Sequence, residues 1–172
     1  MLRAHGDARL KENPMKATIL SVPETFDRVD RVKESVGQEP RPGDDRLWIL
    51  GGPLVVEIEA APLMPARYVV PTGFTTDGAS VPRLAQRLTG WRPWDEPQRW
   101  GAIVHDWLYC ANGSPEVGGL RCGKPYADRA FRAVLSAAGA SALRAEVMFL
   151  AVHLFGGPAY SADQAHGPEI WN

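Results

Sequence analysis

No stretch of this chain approaches the roughly 20 consecutive apolar residues that a helical bilayer span requires. No charge of one sign dominates either. Nineteen Lys and Arg stand against twenty Asp and Glu, a formal net charge of −1, so no global field draws the chain to nucleic acid or to an anionic membrane. Nucleic acid is therefore not an expected partner, and neither is a transmembrane segment. Cysteine is scarce, with only Cys110 and Cys122. They flank a loop between two predicted helices, where a disulfide is geometrically conceivable. Residues Met1 to Pro14 are charged rather than signal-like, however, and a chain made in the cytoplasm is expected to keep its thiols reduced. A zinc site from Cys110, Cys122 and His105 would have three evident ligands at a spacing that matches no familiar zinc knuckle.

What the chain does have is enough apolar material for one core. At 172 residues and 45% hydrophobic content it is long enough for one domain and short for two. We read residues 1–14 as a flexible N-terminal arm and 15–172 as a single globular domain. Phe26, Val29, Val32 and Val36 lie near helical spacing and predict an early helix, followed by a Pro- and Gly-bearing loop over 38–45. Leu47 to Leu50, Gly51-Gly52-Pro53 and Leu54 to Ala60 read as strand, turn and strand, with Val56 and Ile58 alternating against Glu57 and Glu59. Arg67 to Val70 supplies a third strand. The expected class is α+β: a small antiparallel sheet in the N-terminal half, packed with three helices in the C-terminal half.

Pro71 to Pro82 is a turn-rich loop whose glycines, hydroxyls and single carboxylate, Asp77, could wrap an ion; Asp77 capping a turn is the plainer alternative. Beyond it, Trp91 and Trp94 read as core plugs or a surface ledge. Gln98 to Tyr109 predicts a helix with Trp100, Ile103, Val104, Trp107 and Leu108 on its buried stripe, which turns His105, Asp106 and Tyr109 to the other side. A second helix starts near Lys124-Pro125 and ends at Gly139, burying Ala127, Ala130, Phe131, Val134 and Ala138. Asp128 falls at the edge of that stripe, where it can face the first helix; alone, it would serve the helix dipole. A third helix runs from Ala142 to Phe155 behind a Ser141 N-cap. Leu143, Val147, Leu150, Ala151, Val152 and Leu154 cover most of its circumference, so it is expected to be central. Glu146 and His153, two turns apart on one side, form a candidate second polar site, a satisfied buried His being the commoner outcome. The tail from Gly156 onward reads as a closing loop.

Four runs in order carry a resemblance: Val70 to Arg83, His105-Asp106-Trp107-Leu108-Tyr109, Ala127-Asp128-Arg129-Ala130-Phe131, and Ala151 to Gly157 with His153 where an arginine is more usual. Together they resemble the bacteriophage and prophage family called domain of unknown function 1353. That resemblance implies a phage origin among tail or late genes, with virion or tail proteins as partners and synthesis in the host cytoplasm before incorporation into the virion. More distantly, His-Asp-x-x-Tyr with Ala-Asp-x-x-Phe on a partner helix is similar to the two-helix core of calcium-dependent secretory phospholipases. By that likeness His105 would be the general base, Asp128 its orienting carboxylate, Tyr109 a hydrogen-bond support and Asp106 a calcium ligand, acting on a lipid or cell-envelope substrate. The short Gly-rich calcium loop of those enzymes is not found in its usual form, and Asp77 in the 71–82 loop is the candidate second ligand for calcium or another divalent cation. Three functions are expected to compete: a His105–Asp128 hydrolase, a virion or tail-assembly protein whose His-Asp-Tyr cluster only holds helices together, and a host-directed binding protein.

Overall fold

The computed structural model describes residues 15–30, 46–60, 65–76, 96–110, 116–117, 120–121, 123–168 and 170. The expected arm at 1–14, the loops around Asp77, Trp91 and Trp94, and Cys122 lie outside those residues. Six strands come first: β1 (Lys16–Ser21), β2 (Phe26–Asp30), β3 (Arg46–Leu50), β4 (Leu54–Glu59), β5 (Ala66–Val70) and β6 (Thr75–Thr76). A helix α1 (Gln98–Tyr109) follows, then a short pair β7 (Glu116–Val117) and β8 (Leu120–Arg121), and three more helices: α2 (Lys124–Ala137), α3 (Ala142–Phe155) and α4 (Gly157–His166). This is an α+β protein, with small antiparallel sheets before a helical C-terminal half.

The sheet differs from expectation in a way that β4 explains. Leu54, Val56 and Ile58 are fully buried and Val55 nearly so, so β4 is apolar on both faces as a central strand must be. It pairs antiparallel with β1 on one side and β5 on the other, Val56 standing opposite both Ile19 and Tyr68. A second three-stranded sheet has the order β2-β3-β6. Gly51 to Pro53 therefore joins two sheets rather than closing a hairpin. The segment read as an early helix is strand over Phe26–Asp30, with Val29 paired to Leu47. Phe26 and Val29 favour β structure, and the partner edge on β3 decides their state; Val32 and Val36 lie outside the described residues.

The core lies between the sheets and the helices. Leu50, Leu54, Val56, Ile58 and Val70 meet Ile103, Val104 and Leu108 of α1 and Ala127, Ala130 and Val134 of α2. A second cluster joins the three long helices through Ala102, Phe131, Leu135, Ala145, Met148 and Val152. Helix α1 matches its predicted bounds but is buried on both sides, because α2 covers the face that carries His105 and Tyr109. Helix α3 also keeps its predicted bounds, with Ser141 Oγ accepting the Arg144 N–H at 3.3 Å. It is not central: Leu143, Val147, Leu150 and Leu154 stay exposed, and only Ala145, Met148 and Val152 are buried. Its composition lacks a polar side, so periodicity could not say which face the core takes. The expected closing loop after Gly156 is in part the helix α4.

Close approach of α1 and α2 depends on Gly101. A Cβ there would sit 2.9 Å from Leu135 Cδ2 and 3.0 Å from Phe131 Cδ2, both wholly interior side chains. Gly101→Ala is expected to destabilise the protein by about 1–3 kcal/mol through overpacking, against the roughly 1 kcal/mol gain in helix propensity that Ala brings at an open site. Urea unfolding measures the difference; a more stable variant would show that the two helices have room to part.

Candidate functional site

Asp128 sits in the first turns of α2 with no solvent exposure. A buried carboxylate is tolerated only if its lone pairs are filled and its charge is opposed. Both conditions are met. Oδ1 accepts the Tyr109 hydroxyl at 2.7 Å and pairs with His105 Nε2 at 3.2 Å, while Oδ2 accepts the Lys124 ammonium at 2.7 Å and pairs with His153 Nδ1 at 3.0 Å. Three helices thus converge on one side chain: α1 brings His105 and Tyr109, α2 brings Lys124, and α3 brings His153.

The i, i+4 spacing of α1 sets His105 beside Tyr109, with ring centroids 3.9 Å apart and planes tilted by 45°, and the Phe131 ring lies 5.2 Å from the imidazole. Tyr109 is held in place by Gly156, where an added Cβ would lie 2.7 Å from the tyrosine oxygen and 2.4 Å from the Val152 carbonyl. Lys124 at the start of a helix opposes the macrodipole of α2. Its ammonium instead reaches the last turn of α3, donating to the carbonyls of Val152 and His153 at 2.9 Å each. With Asp128 as the third acceptor, all three of its N–H bonds are used. The cation therefore serves the negative end of α3 and the buried carboxylate together.

Asp106 lies on the outer side of this cluster, partly exposed. Its Oδ1 is 3.6 Å from His105 Nδ1, and its Oδ2 accepts the Thr76 hydroxyl from β6. Both ring nitrogens face carboxylates, which only accept. The Nε2–Asp128 contact at 3.2 Å is within hydrogen-bond distance and the Nδ1–Asp106 separation of 3.6 Å is not, so the neutral ring is best served with its proton on Nε2. That leaves the Nδ1 lone pair on the Asp106 side.

The charges bias one another. Burial by itself would lower the His105 pKa, but hydrogen bonds and attraction from Asp106 and Asp128 outweigh it and hold the imidazole above its usual 6.5. Burial would raise Asp128, yet its bonds from His105, Lys124, Tyr109 and His153 hold it well below the usual carboxylate range. Burial and the Asp128 hydrogen bond push the Tyr109 phenol far up, so it remains a donor. Burial also pushes the Cys110 thiol up to about 12. It donates to the Asp106 carbonyl at 3.2 Å, an arrangement that suits a protonated thiol and not a thiolate metal ligand.

Of the residues singled out from sequence, His105, Asp106, Tyr109 and Asp128 come together here, while Asp77 lies outside the described residues. Among the described residues no group of three or more His, Cys, Asp and Glu gathers to hold a metal. Glu146 and His153 do not join in a site of their own: Glu146 takes Arg132 at 3.0 Å and His153 turns to Asp128. Sequence reasoning missed Lys124, His153 and Thr76 as members of the cluster. Lys124 was legible as an i, i+4 partner of Asp128; the other two come from elements that only the fold brings near.

A small α+β protein with a buried carboxylate binding two histidines, a tyrosine and a lysine is the class defined so far. Comparison with known proteins adds the family. The model of Protein of unknown function (DUF1353) matches residues 53–152, more than half of the chain, and the chain belongs to that family. It is also similar to the uncharacterized protein y4iH of Sinorhizobium fredii, with 36% identity over 81 residues, which is 47% of this chain and 30% of that relative. The chain thus spans under a third of that protein's length. No solved structure matches. No helix among the described residues is long and apolar enough to cross a membrane.

Two groups dominate the expected pH dependence. Asp128, lowered on folding, contributes stability that is present above its unfolded value of 3.8 and is lost as pH falls toward its folded value. His105, raised on folding, contributes stability that is full below 6.5 and is lost as pH rises through its folded value. Unfolding free energy should therefore be flat between these limits and decline on either side. Asp128→Asn should remove about 3–5 kcal/mol and flatten both limbs; urea titrations across pH check this, and an unchanged profile in the variant would refute the hub.

Proposed function

We propose that the cluster is a water-activating hydrolase site, with His105 as general base and Asp128 as the carboxylate that positions it. One observation carries the reading: Asp128 engages Nε2 of His105 at 3.2 Å, while Nδ1 stands 3.6 Å from the partly exposed Asp106, outside hydrogen-bond distance, and is the nitrogen left to take a proton. In the reaction Nδ1 takes a proton from water as the hydroxide oxygen bonds to an acyl carbon, and the imidazolium returns that proton to the leaving oxygen. Asp128 stabilises the imidazolium and Tyr109 holds Asp128 still. The substrate class that fits the phospholipase likeness is a lipid or cell-envelope ester. Asp106 stands on the Nδ1 side, and its Oδ2 is already engaged by Thr76. That donor set does not fit a complete calcium site, and no step of the proposal runs through a cation.

A second reading is favoured by burial. His105 is 6% exposed and Asp128 is not exposed at all, which suits a hydrogen-bonded clamp locking α1, α2 and α3 together. In that reading the chain is a structural or tail-assembly protein, or a host-directed binder. Association with a phage virion or tail rests on the family resemblance; co-purification with virions would test it.

The two readings separate in one set of measurements. The hydrolase reading expects wild-type turnover of short-chain or phospholipid esters, with a rate that rises with pH around a midpoint above 6.5 as His105 becomes neutral. It expects His105→Ala to cut kcat by about 10²–10⁴-fold with circular dichroism unchanged, and Asp128→Asn to lower the pH midpoint. A wild-type protein that hydrolyses none of these esters between roughly pH 5 and pH 9, and a His105→Ala variant that only melts earlier, would leave the clamp.

A further inference from the structure

A cavity of about 200 Å³ opens between α2 and α3, lined by Pro125, Arg129 and Arg132 of the first helix and by Phe149 and His153 of the second. Spacings of three and four residues put each set on one face of its helix. No carboxylate is among these described lining residues, in a chain whose net charge is −1. The space between the helices is thus faced by two fixed positive charges and an imidazole.

Phe149 orders this lining. Its ring lies nearly parallel to the His153 imidazole, with centroids 5.3 Å apart and planes 21° from each other, and the Arg132 guanidinium stands 4.8 Å from the same phenyl. Stacking positions both groups without consuming their N–H donors. Arg132 gives one of its five N–H bonds to Glu146 at 3.0 Å. Arg129 donates its Nε–H to the Pro125 carbonyl at 3.2 Å, which seats it along the first turns of α2. His153 is the histidine through which the Asp128 cluster reaches solvent, its side chain 46% exposed against 8% for His105. Its Nδ1 faces a carboxylate that only accepts, so Nδ1 carries the proton, and Nε2 on the far side of the ring makes no hydrogen bond within the described residues.

We propose that this cavity binds the phosphoryl group of a small phosphomonoester. The planar donor set of arginine matches an edge of a phosphate, and the imidazole approaches from the opposite helix, as a tetrahedral anion with three terminal oxygens requires. A phosphomonoester loses its second proton at about pH 6, close to the range in which imidazole titrates. One proton between Nε2 and a phosphoryl oxygen therefore satisfies both groups, whichever of them brought it. Phe149 and Pro125 give an apolar wall to the substituent on the phosphate. The volume lies below the roughly 300 Å³ at which sites for drug-sized ligands begin, which restricts that substituent to a short chain or a single ring. Neither His105 nor ester hydrolysis enters, so the inference stands apart from the hydrolase reading.

Titration of the full chain with phenyl phosphate, read by calorimetry and by the histidine proton resonances, tests it. Wild-type protein is expected to bind with a dissociation constant on the order of 1 mM or below, to bind inorganic phosphate more weakly for want of the ring, and to shift the resonance that His153→Gln removes. Arg129→Gln, Arg132→Gln and His153→Gln should each weaken binding at least about tenfold, the loss of one charge-assisted hydrogen bond. Both arginines are only half-buried, so their variants keep the helical circular dichroism even if His153→Gln does not. Arg67→Gln, on the exposed side of β5, should bind like wild type. Cosedimentation with phosphatidylcholine vesicles containing phosphatidic acid, weakened by Arg132→Gln, would place the phosphoryl group on a lipid headgroup. A wild-type chain that takes neither phosphate at about 10 mM nor the vesicles overturns the inference. Binding that survives the arginine variants, or that Arg67→Gln weakens equally, overturns it as well.

Discussion

The carboxylate of Asp128 constrains most of what surrounds it. A negative charge with no access to water must find donors or be abandoned, and here four side chains from three helices supply them. Removing any one leaves a smaller set to oppose the same charge. The packing of α1 against α2 through Gly101, the seat of Tyr109 against Gly156, and the position of the last turn of α3 all follow from bringing those donors within about 3 Å. The cluster therefore couples electrostatics to helix geometry, and small errors in backbone spacing translate into an unsatisfied buried group.

That same constraint shapes the chemistry open to His105. Between two carboxylates, with one ring nitrogen assigned to Asp128, the imidazole has an orientation and a preferred tautomer without any ligand present. Preorganisation of this kind is what a general base requires and also what a rigid clamp requires. The difference lies in whether water can reach Nδ1, since Asp128 presents the same face to the ring either way. Lys124 sharpens the arrangement. By spending all three of its N–H bonds on Asp128 and on the end of α3, it balances the buried charge and leaves His105 to respond to pH.

The helix carrying His153 has two faces. Its inner face closes the second apolar cluster and delivers an imidazole to Asp128, while its outer face exposes large apolar side chains. His153 stands between them, with one nitrogen turned inward.

Much of this was legible in the chain. The bounds of α1 and α3, the start of α2 at Lys124-Pro125, the strands read at 47–50, 54–60 and 67–70 to within a residue, and the placement of His105, Asp106 and Tyr109 away from the Ile103 and Leu108 stripe follow from local periodicity and capping. These are properties of neighbouring residues, so sequence states them directly. Local pattern misread Phe26–Asp30 as helix because the deciding factor was the edge of β3, a distant strand. It could not orient α3, whose residues are apolar nearly all round, and it did not find Thr76 or His153 at the site. By itself the sequence determined which helix faces carry chemistry. Only the tertiary structure decided which of those faces meet, because the donors that the buried carboxylate of Asp128 needs lie up to 25 positions from it along the chain, as with His153.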